Sequence, residues 1–282
     1  MIKSFLKASF VLFAIQPLSS CSNENSKATS KIDIFKGEDV NPEDYSPVAR
    51  LDRSLCSAVA IADDLFLTAA HCVSTCVGLT IGQQINSDIQ CELQADLSEM
   101  TVSGAGGTYQ VVNVQFPERV KMRNNITLAG FDLALIQVDR TYEGGFWAYA
   151  KKGDSTIDTL LKANQGRFRS QLGSLEALGY GSNGRQGSIG QLRRGMMSFR
   201  GFYSFNDEEI HIGALQAHHA CAGDSGGPAI VQTEDGPVVV GISSRLFNLD
   251  YPSICAVTDG SLYTNLMSPI VSDWLEQAIS KI

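Results

Sequence analysis

Long apolar runs are scarce in this chain. The stretch Ala8–Leu18, "ASFVLFAIQPL", is followed by polar residues and falls short of the roughly 20 residues that a membrane-spanning helix needs. Positive charge is also in short supply: 22 Lys and Arg face 30 Asp and Glu, for a net charge of −8. The first twenty residues hold Lys3, Lys7 and no acid, so the remainder carries 20 basic against 30 acidic residues. A surface this acidic repels a phosphate backbone and argues against nucleic acid as a partner. Charged residues make up only 18% and hydrophobic ones 44%, which excludes a disordered chain. No fixed-period repeat and no low-complexity tract occurs. Histidine is rare, with only His71, His211, His218 and His219.

Cysteine is not scarce, and its count is odd: Cys21, Cys56, Cys72, Cys76, Cys91, Cys221 and Cys255. Residues 1–20 read as an export signal, with a basic start and a short apolar centre. Leu18-Ser19-Ser20-Cys21 places small residues before a cysteine and resembles the lipobox of bacterial lipoproteins, which implies lipidation of Cys21. An ordinary signal peptide cut nearby, with an incidental cysteine, is the alternative. Export favours disulfides, and lipid on Cys21 leaves an even six. Residues 21–33 are polar and aperiodic and read as a flexible tether.

From Ile34 the texture changes. Short apolar runs such as "VARL", "YQVVNVQF", "LALIQV" and "PVVVGISS" alternate with Gly, Asn and Asp clusters, the pattern of an all-β sandwich or barrel. The end, "SPIVSDWLEQAISKI", differs. Ile270, Trp274, Leu275 and Ala278 recur at helical spacing behind Ser268 and Pro269, which predicts a C-terminal helix.

One segment, "HHACAGDSGGP" (residues 218–228), sets an acid and a serine among glycines. Glycine permits sharp turns and close approach of backbone to a ligand. A serine hydroxyl is a weak nucleophile that needs a neighbouring base. His211 lies in an ordinary alternating strand, whereas His71 lies in Thr68-Ala69-Ala70-His71-Cys72. This motif together with Gly223-Asp224-Ser225-Gly226-Gly227-Pro228 resembles the two signatures of the trypsin/chymotrypsin family of serine peptidases (peptidase S1).

The resemblance covers residues 34–282. It implies two six-stranded antiparallel barrels with a C-terminal α-helix and an active site between the barrels. It makes Ser225 the nucleophile, His71 the base and Asp132, in "FDLALIQV", the buried partner that orients the base. Asp96 and Asp139 lack the apolar strand directly after them. The amides of Gly223 and Ser225 form the oxyanion hole. Asp224 is implied to pair with a new N-terminal amine at Ile34 once residues 21–33 are cut away; a solvated loop aspartate is the plainer reading.

The resemblance further implies a Cys56–Cys72 disulfide beside the base and a Cys221–Cys255 disulfide across the specificity pocket. Cys76 and Cys91 then remain for a local bridge in a segment longer than is usual in the family. Metal binding there is the weaker reading, because no histidine or second cysteine pair lies near. The pocket departs from trypsin itself. His219 stands where an acid holds Lys or Arg of the substrate, so a trypsin-like preference is not expected. Ser244-Arg245-Leu246 replaces Ser-Trp-Gly, and Ser261 replaces a common glycine. A small or polar pocket follows, in which His219 and Arg245 either attract an acidic side chain or merely fill space.

The sum is an exported serine endopeptidase, made as a lipoprotein zymogen in the bacterial cell envelope. It needs no cofactor or metal, acts as a monomer on protein or peptide substrates, and meets the membrane only through a lipid anchor. A non-catalytic envelope binding protein that keeps the fold is the competing class.

Overall fold

The computed structural model describes residues 34, 37–76, 88–117, 119–121, 132–163, 165, 175–182, 190–203, 207–213, 220–247 and 260–282. In the strands at 75–76, 88–91 and 119–121 only the backbone is described.

Six antiparallel strands close into a barrel. They are Val48–Leu51, Cys56–Ala60, Leu65–Thr68, Thr101–Gly104, Gly107–Gln115 and Ala134–Val138. Successive residues of a strand point to opposite faces, and here both faces are apolar. Ala58, Ala60, Phe66, Ala134 and Ile136 point into the barrel. Their neighbours Val59, Leu65, Leu67, Leu133 and Leu135 belong to a second core shared with Leu178, Ile230, Val239 and Ile242. This is why "CSAVA" and "LFLT" read as unbroken apolar runs rather than alternating ones: every residue in both is buried.

The second sheet corrects the expected second barrel. It has nine strands and remains open, running from Glu38–Asp39 through Arg193–Met197, Leu175–Gly179, Pro228–Thr233, Gly236–Leu246, Ser261–Asn265 and Glu209–Ile212 to Phe199–Tyr203. Ala148–Tyr149 adds a parallel pairing on Gly236–Leu246, so the sheet is not purely antiparallel either. The reason lies at Ser198. The chain from Arg193 to Tyr203 is interrupted there, where the Ser198 carbonyl accepts from Gly213 N at 3.0 Å. Its first part pairs with Leu175–Gly179 and its second with Glu209–Ile212. The free edge of the first part is taken by Glu38–Asp39, and Phe199 meets Gln165 in an isolated bridge. Among the described residues no ladder joins the two ends.

A small third sheet, Ser74–Cys76, Asp88–Leu93 and Arg119–Lys121, occupies the long segment after His71. Among the described residues there are also two α-helices. Pro269–Ile279 buries Val271, Leu275 and Ala278 in the shared core. Its buried stripe starts at Val271 rather than at Ile270, which is exposed; 271, 275 and 278 share a helical face that 270 lies roughly 100° away from. The other helix, Ser155–Ala163, was not foreseen. Ile157 and Leu161, one turn apart, enter the third core beside Ile34, Ala177, Phe199 and Val231.

Candidate active site

The barrel places a histidine and an aspartate together. Ala134 pairs with Thr68 across two barrel strands, which brings the residues just beyond each strand end into contact. There the chain turns through a short 3-10 helix, Ala70–Cys72, tied by the Cys56–Cys72 disulfide. His71 Nδ1 lies 2.6 Å from Asp132 Oδ2, and the His71 backbone N–H donates to Asp132 Oδ1 at 2.9 Å. The Ser244 hydroxyl donates to Asp132 Oδ2 at 2.7 Å, and the Thr264 hydroxyl to the Asp132 carbonyl at 3.0 Å.

The aspartate is buried at 1% exposure, while the histidine side chain is 35% exposed. A carboxylate so enclosed must be hydrogen-bonded on both oxygens, and this one is. Burial alone would raise the Asp132 pKa. The charge and hydrogen bonds of His71, helped by Ser244, outweigh burial and hold it below its usual value. Burial likewise disfavours the charged imidazole, but the Asp132 charge and hydrogen bond prevail and raise the His71 pKa above 6.5. With its Nδ1 engaged by Asp132, the ring keeps Nε2 for a proton from elsewhere.

The open sheet supplies the serine turn. Asp224 N donates to Cys221 O at 3.0 Å, Gly227 N to Asp224 O at 2.9 Å and Gly226 N to Ser243 O at 2.8 Å. The Ser225 carbonyl accepts from Ser57 N at 2.8 Å. Gly226 has φ of +81°, and a Cβ there would fall 2.2 Å from Ser57 O and 3.1 Å from Ala69 N. Only glycine fits, and the turn is thereby pressed against the segment that carries His71. Asp224 is buried at 2% exposure. Its carboxylate accepts from Gly181 N at 2.9 Å and from Cys221 N at 2.8 Å.

Other expected site residues have definite places. Ser244 turns its hydroxyl to Asp132. Arg245 forks onto both oxygens of Glu209, which is 1% exposed. Leu246 lies opposite Ser261 in the ladder, and the buried Ser261 hydroxyl accepts from Ala220 N at 2.9 Å. Ile34 is buried in the third core. Cys221 is disulfide-bonded, and Cys76 and Cys91 sit directly opposite each other in the third sheet. His219, Cys255 and Cys21 lie outside the described residues, as does the tether 21–33.

The family model Trypsin matches residues 34–257. The chain belongs to the trypsin family. No curated protein matches it. Three contributors to this trypsin-family site had no signal in sequence. Ser57 is fully buried; its hydroxyl donates to Gly223 O at 3.1 Å and accepts from Tyr180 N at 2.9 Å. Thr264 and Glu209 act through partners far along the chain. The Cys56 and Cys72 sulfurs lie close to His71, but their mutual disulfide leaves no thiolate to ligate a metal.

Proposed function

We propose that this trypsin-family protein is a serine endopeptidase with Ser225 as nucleophile, His71 as base and Asp132 as its orienting partner. The observation that carries the reading is the His71–Asp132 pair. It has a buried carboxylate satisfied on both oxygens and a partly exposed imidazole. In this reading Ser225 Oγ attacks the scissile carbonyl, and its proton passes to His71 Nε2. The C–N bond then breaks as that proton moves to the leaving amine, and water repeats the sequence on the acyl-enzyme. The amides of Gly223 and Ser225 bind the oxyanion, where one donor is worth on the order of 3 kcal/mol.

The specificity pocket is small and polar in this proposal. Arg245 is committed to Glu209, so it does not supply a free charge for an acidic side chain, and His219 is the residue that decides. The proposal extends to maturation. Cys21 carries lipid in the cell envelope, and residues 21–33 are a tether. A cut at Asp33–Ile34 frees an amine for Asp224 and releases the domain from the membrane. Labelling by a fluorophosphonate probe, absent in Ser225→Ala, tests the catalytic reading; no labelling of the matured wild type would refute it. N-terminal sequencing of membrane and soluble fractions tests the maturation: fully active protein that still bears lipid would sink the release.

A further inference from the structure

Arg193 is an unusual residue to find inside a sheet. Its side chain is 3% exposed, and a buried guanidinium costs several kcal/mol unless its charge and donors are matched. Its Nε donates to Asp39 Oδ1 at 3.0 Å, and its Nη1 to the carbonyl of Gly181 at 2.8 Å. The same Gly181 gives its N–H to Asp224 Oδ1 at 2.9 Å. A side chain on Gly181 has no room, since a Cβ would lie 2.5 Å from the Asp224 carboxyl carbon.

We infer that Arg193 is a positioning residue for the anion-binding turn 223–225: anchored by Asp39, it acts through the Gly181 peptides on Asp224. This rests on the peptidase reading of Ser225. The physical reason is the freedom of glycine. The N–H and the carbonyl of Gly181 belong to two peptide planes that pivot about one unbranched Cα. The Asp224 carboxylate grips the first plane and Arg193 the second. With both gripped, the N–H stays aimed at Asp224, whose backbone joins Gly223 to Ser225. The Ser182 N–H, in that second plane, also donates to Ala222 O at 2.7 Å, so without Arg193 the plane keeps one of its two holds and the aim of the first loosens. Asp39 supplies the charge that lets a guanidinium remain there. It comes from the strand Glu38–Asp39, which pairs with Arg193–Met197 only four residues after Ile34. The segment behind the new N-terminus thus reaches Asp224 by a second route, separate from the amine.

The test uses the matured protein and its Asp39→Asn, Arg193→Lys and Arg193→Met variants. Readouts are kcat and KM on a fluorogenic peptide, affinity for a peptide boronate that forms a tetrahedral adduct on serine, and amide hydrogen exchange across 221–226. Loosening a preorganised anion site should cost Arg193→Met about tenfold in kcat with KM within about twofold, and boronate affinity should fall in step. Arg193→Lys should fall between, because an ammonium cannot fork to two acceptors held in one plane. Asp39→Asn should lose about threefold, since it keeps a neutral acceptor but not the charge. Exchange across 221–226 should quicken in all three. Wild-type kcat and exchange in Asp39→Asn and Arg193→Met would overturn the inference, as would kcat and KM worsening together. Should Arg193→Met fail to fold, Asp39→Asn decides, since its side chain is half exposed. If the wild type does not label at Ser225, the peptidase reading falls, and exchange across 221–226 alone then decides the Arg193 link.

Discussion

The closed barrel and the open sheet hold their parts of the site by different means. In the barrel, Cys56–Ala60 and Leu65–Thr68 bury every residue, and closure leaves no free edge. His71 and Asp132 follow and precede barrel strands by a few residues, so their geometry is inherited from a ladder with little freedom. In the open sheet, Phe199–Tyr203 buries only its first residue, and the serine turn leaves regular structure altogether. That turn is held by hydrogen bonds to Cys221, Ser243 and Ser57 and by glycine where nothing larger fits. One half of the site is rigid because of packing, the other because of specific polar contacts. The second kind is more easily lost by a single substitution and more easily regulated.

The largest expected effect is on the open-sheet side. Ser225→Ala should lower kcat by about 10⁶-fold, with a melting temperature close to wild type in calorimetry. Loss of fold instead of activity would show that the turn depends on the Ser225 side chain itself. Next comes the barrel side, where Asp132→Asn should cost on the order of 10⁴-fold in kcat. The pH profile adds a sign. His71 must be neutral to act as base, and its pKa is raised above 6.5 by Asp132. Activity of the wild type should therefore fall as pH drops through a midpoint above 6.5. In Asp132→Asn the Asp132 charge is gone and burial remains, so that midpoint should move down. An unchanged midpoint would mean that Asp132 does not set it.

Packing can be compared directly. Phe66 fills the barrel and Phe199 the open sheet, and both are almost fully buried. Truncation to alanine should cost about 3–5 kcal/mol in each case, measured by urea unfolding. The cost should be the larger at Phe66, because a closed barrel collapses less readily around a cavity than an open sheet does. Equal costs would remove that distinction. The smallest effects should come from polar supports. Ser244→Ala removes one hydrogen bond to a buried carboxylate and should lower kcat by about tenfold without changing substrate preference. His219→Asp should leave kcat near wild type on the best substrate and shift cleavage toward basic residues, as a peptide-library profile would show. A profile that does not move would mean that His219 does not line the pocket.

Some of this was legible in the residue order and some was not. Thr68–Cys72 and Gly223–Pro228 are short, and each encodes its own turn: "GDSGGP" contains its own glycines, so its local shape needs little help from afar. The barrel strands were legible as apolar runs, and their burial on both faces explains why they run on without alternating. The open edge of the second sheet was not legible. The division of "RRGMMSFRGFY" at Ser198 depends on Gly213 and on Glu38–Asp39 arriving from elsewhere. Ser155–Ala163 was missed for a similar reason, since two buried residues, Ile157 and Leu161, are too few to show a period. Arg245 looked like a cation available to substrate, yet Glu209 claims it from a neighbouring part of the sheet.

Residue order alone settled which chemical groups are present and which short segments turn, because rotamers, glycine φ angles and apolar runs act over a few residues. Who partners whom was decided by the tertiary structure. Asp132 meets His71 from 61 positions away and Ser244 from 112, and Arg193 reaches Asp39 across 154. Hydrogen bonds and charges act over a few ångströms of space, and only the folded ladders convert such separations into contact.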